Sequence, residues 1–489
     1  MAQFTDLPTE LVLYICSHLR PKYNIQDIFA LAQYNEEEGQ KSSRPTYTPL
    51  DRFRHDAVAS VLRPGLQDLL SLSLTSRKHQ DIIIDSLYLY RDISIHGTNR
   101  VSKMIGLLRL ITAKPEVGLA VRQLYLELFD GYTYMDATLP RDFAFVHRVA
   151  SSAGISCPGN LWVVSAPSRS QYRIQDSIEF AQYGILVKLL LLKMTNLEQL
   201  GCTVSEFNLR LPGSRQSSPQ LPKLTSFAVR PVDVNLDWED INFDIIKNPG
   251  SSIRNLYMET GNSSSGLCWQ SLTPSLLKDI TCLTLNQVAF SRGDIDYIIK
   301  KCGPLKSFKY IQSYELCYDN AEPRDIVQAL RETHVDTLRV ICIDFYGASA
   351  VRNTIDTLTD FDKLESLWMD LYSFIPGHGS KLERWLEDEE AAGSRSASHR
   401  TPNGLIRTLP RTLRRLYFRG FISRISHDLL WLGSNLAVYS NLSYVGLTTL
   451  NHVKSPPMLD LCSSWKAITG FELGPSDETF GIAALGELA

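Results

Sequence analysis

The sequence predicts an α/β protein in which a short helical region is followed by a long array of strand–turn–helix units that share a parallel sheet. Three observations lead there. A six-residue apolar pattern recurs through most of the 489 residues, its copies are almost evenly spaced, and an apolar-faced helix, FTDLPTELVLYICSHL, precedes all of them.

The pattern places apolar residues first, fourth and sixth. It occurs in VRQLYL from 121, LEQLGC from 197, LTSFAV from 224, IRNLYM from 253, ITCLTL from 280 and LKSFKY from 305. It recurs in LRVICI from 338, LESLWM from 364, LRRLYF from 413, LSYVGL from 442 and ITGFEL from 468. With 44% hydrophobic residues the pattern arises by chance at roughly one position in twelve, so no single copy carries weight. The spacing does. From 197 onward the copies start 27, 29, 27, 25, 33, 26, 49, 29 and 26 residues apart, the period of a repeat array.

Each copy reads as a short strand whose fourth and sixth residues point inward together, because side chains alternate faces along a strand. A return segment must then pass over the outside before the next strand is laid down, and GDIDYIIKKCG (293–303) and PRDIVQALRET (323–333) have helical apolar spacing for that task. A unit of this size cannot close a core alone, so the units stack into a curved horseshoe with a concave parallel sheet. The 49-residue interval holds LEDEEAAGSRSASHRTPNG (386–404), read as an exposed loop inside one repeat, and PGSRQSSPQLP (212–222) as a shorter one. Residues 130–195 fit the ladder poorly; LWVV at 161 reads as a weak strand and 174–195 as a long helix.

At the N-terminus, Asp6 or Thr5 suits a helix cap, Pro8 suits a first turn, and Leu7, Leu11, Ile15 and Leu19 recur every four residues. Downstream, LQDLLSLSLTSRKHQDIIIDSLYLYRDISI (66–95) reads as two short helices capped by Asp68 and Ser76, then a strand through Tyr90, Ile93 and Ile95. Between them, residues 35–49 read as a polar loop and FRHDAVASVLR (53–63) as a helix.

Composition excludes several classes. A net charge of -3 gives no broad basic field for nucleic acid or anionic membrane. The longest apolar run, ILVKLLLLKM (185–194), is too short to span a bilayer and contains Lys188, and the first residues lack a signal peptide's pattern. Nine scattered cysteines without a CxxC pair point to reduced thiols and a cytoplasmic or nuclear setting. The sequence has no phosphate loop, HExxH, GxSxG or dinucleotide fingerprint, and its ten histidines form no zinc-spaced set, so neither catalysis nor a cofactor or metal is expected.

The N-terminal segments together resemble an F-box, the motif by which substrate receptors dock on the Skp-type adaptor of cullin-RING (SCF) ubiquitin ligases. The matching elements are Leu7-Pro8-x-Glu10-Leu11, Ile15 and Leu19, then Asp68-Leu69-Leu70-x-Leu72-Ser73-Leu74, Ser76-Arg77, and Leu89-Tyr90-Arg91-Asp92. An F-box followed by leucine-rich repeats is the order of the F-box/leucine-rich-repeat receptors, with details closest to fungal members. The resemblance implies an F-box at 1–90, with an inserted segment at about 21–66, and a leucine-rich-repeat-like solenoid at 91–489. It implies adaptor contacts from Leu7, Pro8, Leu11, Ile15, Leu19, Leu69, Leu70, Leu72 and Leu74, and through the adaptor a cullin. Two departures stand out: His79 occupies the usual place of an aromatic, and Thr75 that of an apolar residue.

The third, fifth and seventh positions of each copy point to the concave surface, where a protein substrate is expected. The side chains singled out there are Tyr125, Glu127, Arg230, Tyr257, Glu259, Lys309, Asp344, Trp368, Asp370, Tyr417 and Arg419. Cross-strand packing that only stiffens the sheet is the structural alternative for the aromatics. For the whole chain, the alternative is a non-catalytic repeat scaffold whose N-terminal helices only cap the solenoid.

Overall fold

The computed structural model describes residues 7–19, 69–85, 87, 90–95, 100–126, 140–155, 172–204, 220–231, 252–259, 277–288, 290–312, 321–345, 353–374, 404–419, 426–448 and 474–475. The expected caps at Thr5, Asp6 and Asp68, the segments 35–49, 53–63, 161–164 and 386–403, most of the 212–222 loop, and the copy ITGFEL lie outside these residues. The chain divides into two compact units, Met1–Leu236 with Asp240–Ile253 and Gly486–Ala489, and Asp237–Glu239 with Arg254–Leu485. The expected boundary at 90/91 lies inside the first unit.

In the first unit, α1 (Thr9–Leu19), a helical segment at 69–75 and α2 (Arg77–Asp85) form a small cluster. They are followed by β1 (Asp92–Ile95), α3 (Arg100–Ala113), α4 (Pro115–Ala120), β2 (Gln123–Leu126), α5 (Pro140–Ser152), α6 (Tyr172–Lys193), β3 (Gln199–Val204) and β4 (Ser226–Pro231). The strands pair in parallel and in chain order. The long apolar helix read at 174–195 is α6; it is buried from Tyr183 to Leu191 and packs against α3, α4 and α5.

The second unit repeats one design. Its elements are β5 (Asn255–Glu259), β6 (Cys282–Val288), α7 (Arg292–Lys301), β7 (Ser307–Gln312), α8 (Pro323–His334), β8 (Val340–Asp344) and β9 (Ser366–Asp370). After a 3₁₀ turn at Leu371–Ser373 come α9 (Gly404–Arg407), β10 (Arg415–Arg419), α10 (Ser426–Ser434), β11 (Tyr444–Thr448) and the two-residue β12 (Gly474–Pro475). Each strand pairs in parallel with the next in the chain. The architecture is therefore mixed α/β on parallel sheet, as the sequence predicts.

Register follows the pattern through the six residues of each copy; past them, between Leu285 and Val288, the pairing of β6 with β7 shifts by one residue. The third residues Gln123, Gln199 and Ser226 stand opposite one another in the first unit. Asn255, Cys282, Ser307, Val340, Ser366, Arg415 and Tyr444 do so in the second. A forked hydrogen bond sets this alignment. The Glu365 carbonyl accepts from Arg414 N–H at 2.8 Å and Arg415 N–H at 3.0 Å. The carbonyls of Arg91, Arg122, Glu198, Arg254, Thr281, Lys306, Arg339 and Arg414 accept the same pair of donors from the following strand.

Because register is constant, the apolar anchors stack. The first, fourth and sixth residues are buried in the nine copies from 121 to 413, as in Leu364, Leu367 and Met369 of β9, and so are Leu442 and Val445 of the next. The structure adds an anchor that the six-residue pattern omits, three residues upstream: Met194, Leu221, Leu277, Phe361 and Tyr439 are buried. Their carbonyls accept the N–H of the first residue of the copy, for example Leu364 N–H to Phe361 O at 3.1 Å, closing a tight turn before the strand. Each fully buried aliphatic anchor contributes about 1.5–3 kcal/mol, so a ladder of them outweighs any single surface contact.

The two returns read as helices in the sequence are helices in the structure. Ser291 Oγ caps α7 by accepting from Asp294 N–H, and Pro323 opens α8 behind a Glu322/Asp325 capping box. Ile295, Ile298 and Ile299 of α7 and Ile326, Val327 and Leu330 of α8 face inward, and His334 Nε2–H donates to Ile299 O at 2.8 Å. Outside, Lys300–Glu332 (3.1 Å) and Arg331–Asp360 (3.0 Å) bridge successive returns; exposed pairs of this kind add little each.

At Gly303 the return passes against the preceding turn. Its N–H donates to Leu277 O, and a Cβ there would overlap the carbonyl oxygen of Lys278. Gly303→Ala is expected to cost about 1–3 kcal/mol, read as a lower denaturant midpoint with the secondary structure retained. An unchanged midpoint would mean that the 278–280 turn yields freely.

Candidate functional site

Two places gather the side chains singled out in the sequence. The first is the N-terminal helical cluster. Its interior is Val12, Cys16, Leu69, Leu72 and Ile83, with Leu7, Ile15 and Ile82 packed at the edge. The inward face of α1 is thus centred on Val12 and Cys16, which the four-residue stripe missed. Four residues turn an α-helix by about 400°, so such a stripe drifts about 40° per step and cannot stay on one face. Leu11, at 43% exposure, is on the outside.

Ser76 caps α2 as expected, its Oγ accepting from His79 N–H at 3.1 Å. The two departures from the F-box pattern meet each other. His79 is fully buried, and its Nδ1 lies 2.7 Å from Thr75 Oγ1. That hydroxyl donates its single proton to Leu72 O at 2.7 Å, so Nδ1–H of His79 is the donor to Thr75. A hydrogen-bonded polar pair stands where the pattern has two apolar side chains. Lys78 Nζ donates to Leu7 O at 2.7 Å and ties α2 to the start of α1.

The nine expected adaptor contacts therefore divide. Leu69 and Leu72 are buried inside the cluster, and Leu7 and Ile15 are partly buried against it. Pro8, Leu11, Leu70 and Leu74 face outward, and the side chain of Leu19 is not described. Tyr14, 61% exposed, joins the outward apolar set, in which Leu74 reaches 82%. Large apolar side chains this open are unusual unless something covers them.

The second place is the face of the second unit's sheet opposite the apolar anchors. The fifth positions form an unbroken ladder of partners: Tyr257, Thr284, Lys309, Cys342, Trp368, Tyr417 and Gly446. The sequence places these side chains on this face correctly but expects them open to a partner. In the structure they are buried, Trp368 excepted. The physical reason is the constant register, which lays each side chain against its equivalents on both neighbouring strands. The rings of Trp368 and Tyr417 stack at 5.4 Å and 17°, and Tyr417 meets Tyr444 at 5.1 Å. Tyr257 OH accepts from Asn286 Nδ2 at 2.9 Å. In the first unit Tyr125 is likewise buried. Glu127 and the side chains of Arg230 and Glu259 lie outside what the structure describes.

The seventh positions carry a buried charge cluster. Arg419 Nη1 donates to Asp344 Oδ2 at 2.7 Å, reaching across β9. Asp370, 0% exposed, accepts from Phe345 N–H (2.7 Å) and Ser373 Oγ–H (2.6 Å) at Oδ2, and from Ser373 N–H (3.0 Å) at Oδ1. Burial first, and the neighbouring Asp344 second, push the Asp370 carboxyl up to about 7, against the pull of those three donors. Burial also pushes the Cys342 thiol up to about 12, so it is no nucleophile.

Among the described residues no cluster of His, Cys, Asp or Glu could hold a metal ion, and no helix is long and apolar enough to cross a membrane. The five described cysteines, Cys16, Cys202, Cys282, Cys302 and Cys342, are free. Scanned against protein-family models the chain matches none, and a search of curated proteins finds no match.

Gly446 makes the aromatic stack possible. A Cβ there would stand 2.5 Å from Tyr417 Cδ1 and 2.9 Å from Tyr444 Cε1, and Tyr417 is pinned between two other rings. Gly446→Ala is expected to lower stability by about 1–3 kcal/mol and to weaken the near-ultraviolet circular dichroism of the stack. Full retention of both would show that the rings are not packed on this glycine.

Proposed function

We propose that the chain is the substrate receptor of an SCF-type ubiquitin ligase, an F-box followed by a leucine-rich-repeat solenoid. On this reading it is not itself an enzyme: it docks on a Skp-type adaptor, and so on a cullin, and presents a bound protein for ubiquitin transfer by other subunits. The observation that carries the reading is the division of the N-terminal helices. Val12, Cys16, Leu69, Leu72 and Ile83 close a core of their own, which leaves Leu11, Tyr14, Leu70 and Leu74 turned outward for a partner. The strand ladder with its period near 27 residues supports the second half. One feature of the leucine-rich pattern is missing: its ninth position, usually Asn or Cys, is Val288 in the copy from 280 and Tyr372 in that from 364. In the latter repeat Asp370 serves the strand exit instead.

For the substrate, Trp368 and Tyr444, half-buried at the edge of the aromatic stack, are accessible aromatic side chains of the second face. Tyr257, Asp344, Asp370 and Tyr417 support that surface from within.

The test separates docking from folding. Leu11→Asp combined with Leu74→Asp is expected to abolish capture by purified Skp-type adaptor while leaving the melting temperature unchanged. Leu72→Asp is expected to unfold the helical cluster. Undiminished capture by the double variant would overturn the F-box reading and leave these helices as a cap on the repeats.

A further inference from the structure

We propose that Asp344, Asp370 and Arg419 form a proton-operated latch that tightens the exits of β8 and β9 on acidification. The inference stands on hydrogen-bond geometry and is independent of the ligase reading. Phe345 is the first residue after β8, and Ser373 closes the turn after β9. One carboxylate, Asp370, accepts from both, and Arg419 on β10 crosses over it to Asp344 on β8. Three consecutive strand exits are thereby joined through two side chains that sit in adjacent strands at the same pattern position.

Among the described residues, the charged group that acts on Asp370 is Asp344 on β8, and Arg419 stands opposite Asp370 on β10; Lys309 on β7 joins these three in acting on the Cys342 thiol of β8. Cys342 stays a thiol, as above. Asp344 is the like charge that disfavours a second anion, and Arg419 compensates one carboxylate through its direct bond. A proton on Oδ1, which accepts one bond against two at Oδ2, leaves the donors from Phe345 and Ser373 Oγ in place.

The direction follows from linkage. In the closed state Asp370 binds its proton with an affinity raised to about 7, whereas a carboxyl released to water returns to its ordinary value near 3.8. The closed state therefore holds the proton more tightly. Between pH 4 and 7 the opening equilibrium falls by up to tenfold for each unit of acidification, and above about 7 it no longer changes. Near neutrality the latch is thus at its loosest and poised to tighten.

Amide hydrogen exchange of the full-length protein, corrected for intrinsic rates, tests this at Phe345, whose N–H donates to Oδ2. Protection at pH 5.5 is expected to exceed that at pH 7.5 by about twentyfold, with Ile341 and Ile343 inside β8 unaffected. Asp370→Asn, which carries no proton switch, should bring the ratio to one, and Asp344→Asn should shrink it by removing the like charge. Equal protection of the wild type at both pH values would overturn the latch. So would the wild-type ratio persisting in whichever of the two variants folds.

Discussion

Everything in the second unit depends on a single repeated constraint, the forked hydrogen bond in which the carbonyl of a copy's second residue accepts from two N–H groups of the next strand. Both donors enter the sheet together, so the incoming strand has no freedom to slide. Once register is fixed, like positions must stack. Leu364, Leu367 and Met369 fall against their equivalents, the buried face becomes continuous, and the opposite face inherits the same order. The helices are secondary to this. α7 and α8 return over the anchors, α10 stands likewise between β10 and β11, and the described chain before β9 runs instead through the turn at Phe361.

The same constraint produces the second face, where it has the opposite chemical consequence. Stacking of identical positions is favourable for Leu but costly for charge. The sheet meets that cost by alternation, with Arg419 opposite Asp370 and bonded to Asp344. Where two carboxylates still fall on adjacent strands, one of them is left with a raised proton affinity and three backbone or hydroxyl donors. The aromatic stack is the neutral version of the same rule, with Gly446 ending it by providing the space that the last two rings fill.

Much of this was legible in the sequence because the pattern that signals a strand is also the pattern that packs it. All ten copies from 121 to 442 coincide with described strands, and the helices read at 293–303 and 323–333 are present as α7 and α8. The fourth anchor was legible too, had the pattern been extended upstream to Leu221, Leu277 and Phe361. Less was legible of the candidate sites. Alternation tells which face Tyr417 is on, but its burial depends on Trp368 and Tyr444, which are 49 and 27 residues away in the chain. The stripe in α1 failed for a related reason, since Val12 and Cys16 are selected by Leu69, Leu72 and Ile83, not by spacing within the helix. His79 and Thr75 looked like two separate irregularities and form one hydrogen bond.

The central claim, a sheet whose strands follow chain order at one register, is tested most directly by paired spin labels on exposed second positions of the second unit. Labels at Arg254 and Ser443 flank six strand steps, from β5 to β11. At the spacing of hydrogen-bonded strands they should lie about 29 Å apart, and moving the first label to Lys306 should shorten this to about 19 Å. A distance that stays the same or lengthens on that move would contradict the ladder.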